Sequence, residues 1–262
     1  MGIKDFINIK INNKTIRDYG YIKDINHIAG KKVVIDAFNM IYRCRYANEN
    51  LSSGVKITSH IKFVLNQILM LKKIGVVQLW IFDGGFNPLK SETVSKRKVK
   101  ITKDEIGDIK KLLNLLGMTY ITVQTEAEFF AAALTKAGKY DYVLSTDMDV
   151  IVRGGNIFAP KKAGDYFVLH SSELPVGPAE LAKMAVVLGC DFAPKTQRIG
   201  AGTVYSKLSS IKLTDRQTEA FIFLTGPLDT KIIEKPKTAA NIPELKIWLR
   251  SLSFSNSTLD KL

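Results

Sequence analysis

One recurrence constrains this chain more than any other feature: short apolar runs end in an acid, and helical patterns fill the intervals between them. Lys31-Lys32-Val33-Val34-Ile35-Asp36 is the first such run and Val76-Val77-Gln78-Leu79-Trp80-Ile81-Phe82-Asp83 the second. Met118 to Val123 reads as a third strand, and Tyr142-Val143-Leu144, leading through Ser145-Thr146 to Asp147-Met148-Asp149, as a fourth. Ala37 to Tyr46 is the first helix. Ile57, Ile61, Val64, Leu65, Ile68 and Leu71 mark a second at helical spacing, closed by Gly75. Ile109 to Leu116 stops at Gly117, and Glu126 to Ala137 stops at Gly138. Alternating strands and helices predict an α/β fold with a mainly parallel twisted sheet covered by helices. A chain of 262 residues is long enough to bury such a core.

In parallel α/β sheets, ligands collect beyond the carboxyl ends of the strands, which is where Asp36, Asp83, Asp147 and Asp149 fall. Any one of them alone reads as a helix cap or turn former. Three strands ending this way in one basic chain point instead to a site. Crowded carboxylates repel unless something positive lies among them. Hard oxygen donors without thiolate or imidazole suit Mg2+ or Mn2+, and two such ions suit phosphodiester hydrolysis. The net charge of +13, from 38 Lys and Arg against 25 Asp and Glu, fits a polyanionic partner bound with release of counterions. A basic protein without such a partner is the alternative on charge alone. Two cysteines and three histidines leave neither a disulfide framework nor a Cys/His zinc cluster, and fit a reducing compartment.

Thr125-Glu126-Ala127-Glu128 has the spacing of a capping box, Thr125 capping the helix and Glu128 reaching back. Residues i and i+2 of a regular helix point about 200° apart, so both glutamates serve one metal cluster only in a less regular first turn. Beyond Pro175-Val176-Gly177-Pro178 the pattern gives a helix over Ala179 to Leu188. Gly189-Cys190-Asp191-Phe192, the turn Arg198-Ile199-Gly200-Ala201-Gly202 and a second helix from Thr203 follow. Ser251 to Leu262 is Ser-rich and polar. No leader-like apolar stretch opens the chain, and no run approaches the roughly 20 apolar residues of a membrane span. The expectation is a soluble, intracellular protein with no membrane partner.

These pieces resemble the flap endonuclease (XPG-type) superfamily in order and spacing over nearly the whole chain, from Met1-Gly2-Ile3 to beyond Asp191. They are Val33-Val34-Ile35-Asp36-Ala37, Phe82-Asp83-Gly84 with Pro88, Lys90 and Lys96-Arg97, Thr125-Glu126-Ala127-Glu128, Thr146-Asp147-Met148-Asp149 and Leu188-Gly189-Cys190-Asp191-Phe192. The resemblance implies a PIN-like nuclease core with a helix-hairpin-helix-like C-terminal element. It implies seven metal-site carboxylates, Asp36, Asp83, Glu126, Glu128, Asp147, Asp149 and Asp191, around Mg2+ or Mn2+, two ions in all. Lys90 and Arg97 correspond to the family's basic pair beside the scissile phosphate. Gly2, Tyr42, Lys96, Arg198, Gly200 and Gly202 correspond to nucleic-acid-binding positions, Tyr42 as a ring stacked on a base. Residues 1–175 would hold most of the nuclease core, including a short lid over about 90–111. Residues 176–262 would hold the remainder with Asp191, the duplex-binding hairpin and C-terminal helices.

Three departures shape the expected activity. Arg198 replaces the first glycine of the hairpin turn and Gly202 a usual lysine, which leaves a bound K+ in question. The 29 positions from Arg97 to Glu126 are too few for the long arch that threads a 5′ strand, which favours Holliday junctions, nicks or duplex ends over flaps. No Gln-plus-paired-aromatic motif for a sliding clamp is evident. The expected function is a structure-specific 5′ nuclease of DNA replication, repair or recombination, acting on branched or nicked duplex, with a homodimer on junctions open. An RNA-cutting relative and a non-catalytic DNA-binding factor retaining the fold remain alternatives. Heavy use of Lys, Ile and Asn would suit a large DNA virus or another AT-rich genome, and hence a nucleus or viral replication site.

Overall fold

The computed structural model describes residues 5–47, 52–53, 56–85, 88–90, 100–161, 164–228, 231–236 and 239–262. Eight strands build the central sheet: β1 (Tyr21–Lys23), β2 (Lys32–Asp36), β3 (Val77–Asp83), β4 (Tyr120–Val123), β5 (Tyr142–Leu144), β6 (Asn156–Pro160), β7 (Tyr166–His170) and β8 (Ile232–Glu234). Their order across the sheet is β8-β4-β3-β2-β5-β6-β7-β1. The five strands from β4 to β6 in that order are parallel, while β8, β7 and β1 each pair antiparallel. The expected mainly parallel sheet is therefore present, with antiparallel edges. Because β2 and β3 run together in register from Lys32↔Val77 to Asp36↔Ile81, Asp36 and Asp83 leave the sheet at the same end.

Alternation along the strands sends successive side chains to two cores. Val34, Leu79, Ile81, Ile121, Val123 and Val143 face one core, shared with α4 (Ala127–Lys136), α5 (Asp149–Val152), α6 (Pro178–Leu188) and α7 (Asp215–Thr225). Val33, Ile35, Trp80, Phe82, Tyr120 and Leu144 face the other. That core is shared with α1 (Ala37–Ala47), α2 (Ser59–Lys73), α3 (Lys103–Leu115), α8 (Ile242–Ser251) and α9 (Asn256–Leu259). The sheet is covered on both faces, as parallel strands require.

Residues 103–111 of the expected lid form the first turns of α3. Thr102 and Glu105 make a reciprocal capping box there, and Glu105 and Asp108 pair with Arg45 of α1 and His60 of α2. The helix expected from Thr203 does not form; 201–210 is a run of turns. The hydroxyls of Thr203, Ser206 and Ser210 each donate to the carbonyl three residues back, which competes with a regular helical ladder. Among the described residues no helix is long and apolar enough to cross a membrane.

Candidate functional site

A chain of hydrogen bonds fixes the first acids. Asp36 Oδ1 accepts from the Asn39 backbone N–H at 2.9 Å, and its Oδ2 accepts from Ser145 Oγ at 3.2 Å. Ser145 Oγ in turn accepts the Asp147 N–H at 3.1 Å, and Asp147 Oδ1 accepts the Asp149 N–H at 3.1 Å. Asn39 also grips Thr146, donating to its hydroxyl at 3.0 Å and accepting its backbone N–H at 3.1 Å. The loop after β5 is thus locked to the first turn of α1. Asn39 and Ser145 had no motif to flag them; their signal was only a polar residue beside each strand-end acid.

The capping box expected at Thr125 is absent. The helix begins at Ala127 with Glu126 as its N-cap, and Glu126 makes no side-chain cap bond. Asp83 caps it across the sheet instead, its Oδ1 accepting the Ala127 N–H at 2.6 Å. Glu126 is released because its backbone is extended (φ −70°, ψ 132°), so the two glutamates are not separated by helical rotation. Both bind one cation: Lys90 Nζ donates to Glu126 Oε2 and, at 3.0 Å, to Glu128 Oε1. Gly84 is required after Asp83, because a Cβ there would lie 2.3 Å from the Val123 carbonyl oxygen.

Asp191 enters from the turn after α6. Gly189, at φ +89°, starts that turn against the Lys195 backbone, and Cys190 and Ala193 exchange backbone hydrogen bonds around Asp191. Gln217 of α7, 2% exposed, staples the loop by donating to Val186 O, Pro194 O and Thr196 Oγ1. Phe192 packs on Phe129 and Phe223 beneath it. Gln217 is a positioning residue that no sequence pattern marked.

The seven carboxylates converge. Asp36, Asp83, Glu128, Asp147 and Asp191 line one small pocket with Phe38, Asn39, Tyr42 and Lys90. Asp83, Glu126 and Glu128 form one set, and Glu128, Asp147 and Asp149 a second, each with ligand oxygens within 4.8 Å of one another. Asp149 is 0% exposed, and among the described residues both its buried carboxylate oxygens have no hydrogen-bond partner. Burial, then the charges of Glu128 and Asp147, pushes Asp36 up to about 7. Burial and Glu128 push Asp147 up to about 6. Asp83 and Asp149 are held well above the usual carboxylate range by burial and neighbouring acids. Burial works against the Lys90 charge, but Glu128, Glu126 and Asp83 outweigh it and hold the ammonium well above the usual lysine range.

Tyr42, 9% exposed, stands at the pocket beside Phe38. Arg198 adopts φ +60°, a conformation that favours glycine, at the position where the resemblance expects one. A Cβ at Gly200 or Gly202 would meet nothing within 4 Å, so that turn presents open backbone. Gly2, Lys96 and Arg97 lie outside the described residues.

Comparison with known proteins gives the same direction. Flap endonuclease 1 of Aspergillus flavus is 28% identical over 247 residues, covering 78% of this chain and 62% of the relative. The chain therefore spans about three-fifths of the length of that relative. Flap endonuclease-1 from Methanococcus jannaschii has a similar fold, with a TM-score of 0.78, 19% identity and coverage of 92% of this chain and 94% of that one. Human GEN1 in complex with Holliday junction DNA gives a TM-score of 0.72 at 15% identity, covering 100% of this chain and 76% of that one. The family descriptions XPG N-terminal domain and XPG I-region match residues 1–104 and 117–191, together well over half the sequence, and the chain belongs to the XPG-type flap endonuclease superfamily.

Proposed function

We propose that this chain is a metal-dependent, structure-selective 5′ nuclease that hydrolyses DNA phosphodiesters. The observation that carries the proposal is Asp149: a fully buried carboxylate whose two oxygens have no hydrogen-bond partner among the described residues, set among acids close enough to share a cation. Such a group is costly unless it binds an ion. The donors are all hard oxygens, which fit Mg2+ or Mn2+. Asp83, Glu126 and Glu128 would hold one ion and Glu128, Asp147 and Asp149 a second, with Asp36 and Asp191 lining the same pocket. Such ions, when bound, activate water and neutralise charge on the leaving oxygen.

The chain's own residues do the rest. Lys90 and Arg97 stabilise charge developing on the phosphoryl oxygens. Tyr42 stacks on a base near the cut. Gly2 and Lys96 contact the strand, and the open backbone at Gly200 and Gly202 with the Arg198 guanidinium meets duplex phosphates. Human GEN1 is held on a Holliday junction, and the short interval between Arg97 and Glu126 favours substrates that do not thread. The substrate class is therefore junctions, nicks or duplex ends, in replication, repair or recombination, with a homodimer on four-way junctions.

The test places purified protein with Mg2+ on end-labelled duplex, nicked, 5′-flap and four-way-junction DNA, beside an Asp147→Asn control. Metal-dependent cutting that the control abolishes is expected, strongest on an unthreaded substrate. Binding to every substrate without cutting would refute the activity and leave a structural DNA-binding role.

A further inference from the structure

We infer that the Lys90 ammonium is a built-in counter-ion occupying one of the two metal positions, and that loading a divalent ion displaces it. The inference rests on the reading of the carboxylate cluster as a divalent-ion site. It goes further by making the two positions unequal. Lys90 Nζ donates to Glu126 and Glu128, two of the three acids in the Asp83 set. Its side chain is 12% exposed and its charge lies 5.0 Å above the Phe192 ring. The ammonium is therefore seated inside the cluster. No ammonium is bonded to Asp147 or Asp149 among the described residues.

Mg2+ coordinates carboxylate oxygens at about 2.0–2.1 Å, so such an ion and an ammonium bonded to the same two glutamates would be close like charges. The Asp83 set cannot satisfy both in full. Lys90 is the group able to move, because its charge rides on a flexible four-carbon stem. The backbone beneath it is tethered: Arg216 of α7 donates to the Leu89 carbonyl at 2.7 Å. Displacement is thus a side-chain swing at the pocket rim, toward the place a phosphate oxygen would take. One residue neutralises the acids before loading and the substrate afterwards.

Mn2+ binding without DNA, followed by calorimetry and electron paramagnetic resonance, compares the wild type with Lys90→Met and the charge-retaining Lys90→Arg. The wild type should show one tighter and one weaker event. Lys90→Met should strengthen the weaker event at least tenfold and the tighter one, which shares Glu128, by clearly less, while Lys90→Arg should resemble the wild type. Amine acylation of wild-type protein, read by mass spectrometry, needs no variant: Lys90 should react slowly with chelator and several-fold faster with saturating Mn2+, while Lys110, paired with Glu234, stays constant. Equal Mn2+ affinities in folded wild type and Lys90→Met, or metal-independent Lys90 reactivity, would overturn the displacement and leave the metal centre standing. No Mn2+ binding to any of the three proteins would remove both.

Discussion

Replacing Asp149 by Asn should stabilise the metal-free protein while abolishing metal-dependent cleavage. Asp149 is fully buried, with Asp147 and Glu128 oxygens within 4.8 Å. Two unit charges at that separation in an effective dielectric near 20 repel by roughly 3.5 kcal/mol, so two neighbours would impose roughly 7 kcal/mol if all three were ionised. The cluster avoids most of this by retaining protons, since burial first and neighbouring acids such as Glu128 second raise Asp36 to about 7 and Asp147 to about 6. A carboxyl raised in the folded state contributes stability that is present below its unfolded value near 4. That stability is lost as pH rises through about 6 to 7. The strain is therefore largest near pH 8. Asn removes one charge and offers an amide N–H to the remaining carboxylates, although its own burial offsets part of the gain. A net gain of about 1–3 kcal/mol corresponds to about 2–4 °C of Tm per kcal/mol for a chain near this size. Thermal melts with chelator at pH 8 and pH 5, repeated with saturating Mn2+, are the assay. The variant should melt higher at pH 8, lose that advantage at pH 5, and fall behind the wild type with Mn2+. At one hundred times its Kd, a bound ion contributes about 2.7 kcal/mol. A variant less stable than wild type at pH 8 without metal, or one with the same difference at both pH values, would refute the reasoning.

Asn39→Ala removes the three bonds to Thr146 and should cost about 1–3 kcal/mol. It should also lower kcat and Mn2+ affinity with little change in KM, whereas loss of stability alone would mark Asn39 as merely structural. Gln217→Ala removes three bonds that hold the Asp191 turn. It should destabilise by about 2 kcal/mol in urea unfolding and raise the Mn2+ Kd. Arg198→Gly relieves a left-handed residue, so stability should change by less than about 1 kcal/mol. Duplex affinity should weaken uniformly across sequences, with the salt slope of binding shallower by about 0.9; an unchanged slope would remove Arg198 from the DNA face.

The sequence by itself determined the α/β architecture, because short continuous apolar runs mark strands buried on both faces and helices of period 3.6 mark one buried face, and burial is a local property of the pattern. It also determined where Asp36, Asp83, Asp147 and Asp149 emerge, since parallel strands place their carboxyl ends together. Glu126 and Glu128 show where that legibility stopped. Their spacing favoured a cap formed by Thr125, yet the cap comes from Asp83, 44 residues earlier in the chain, and only that contact frees both glutamates for Lys90. The turns over 201–210, the Asn39–Thr146 clasp and the Gln217 staple were hidden for the same reason. Each depends on which hydrogen-bonding partner the tertiary fold delivers, and a polar side chain carries no record in the sequence of the distant group it will meet. The unpartnered oxygens of Asp149 belong to this class too, because enclosure on every side is something only the assembled layers create.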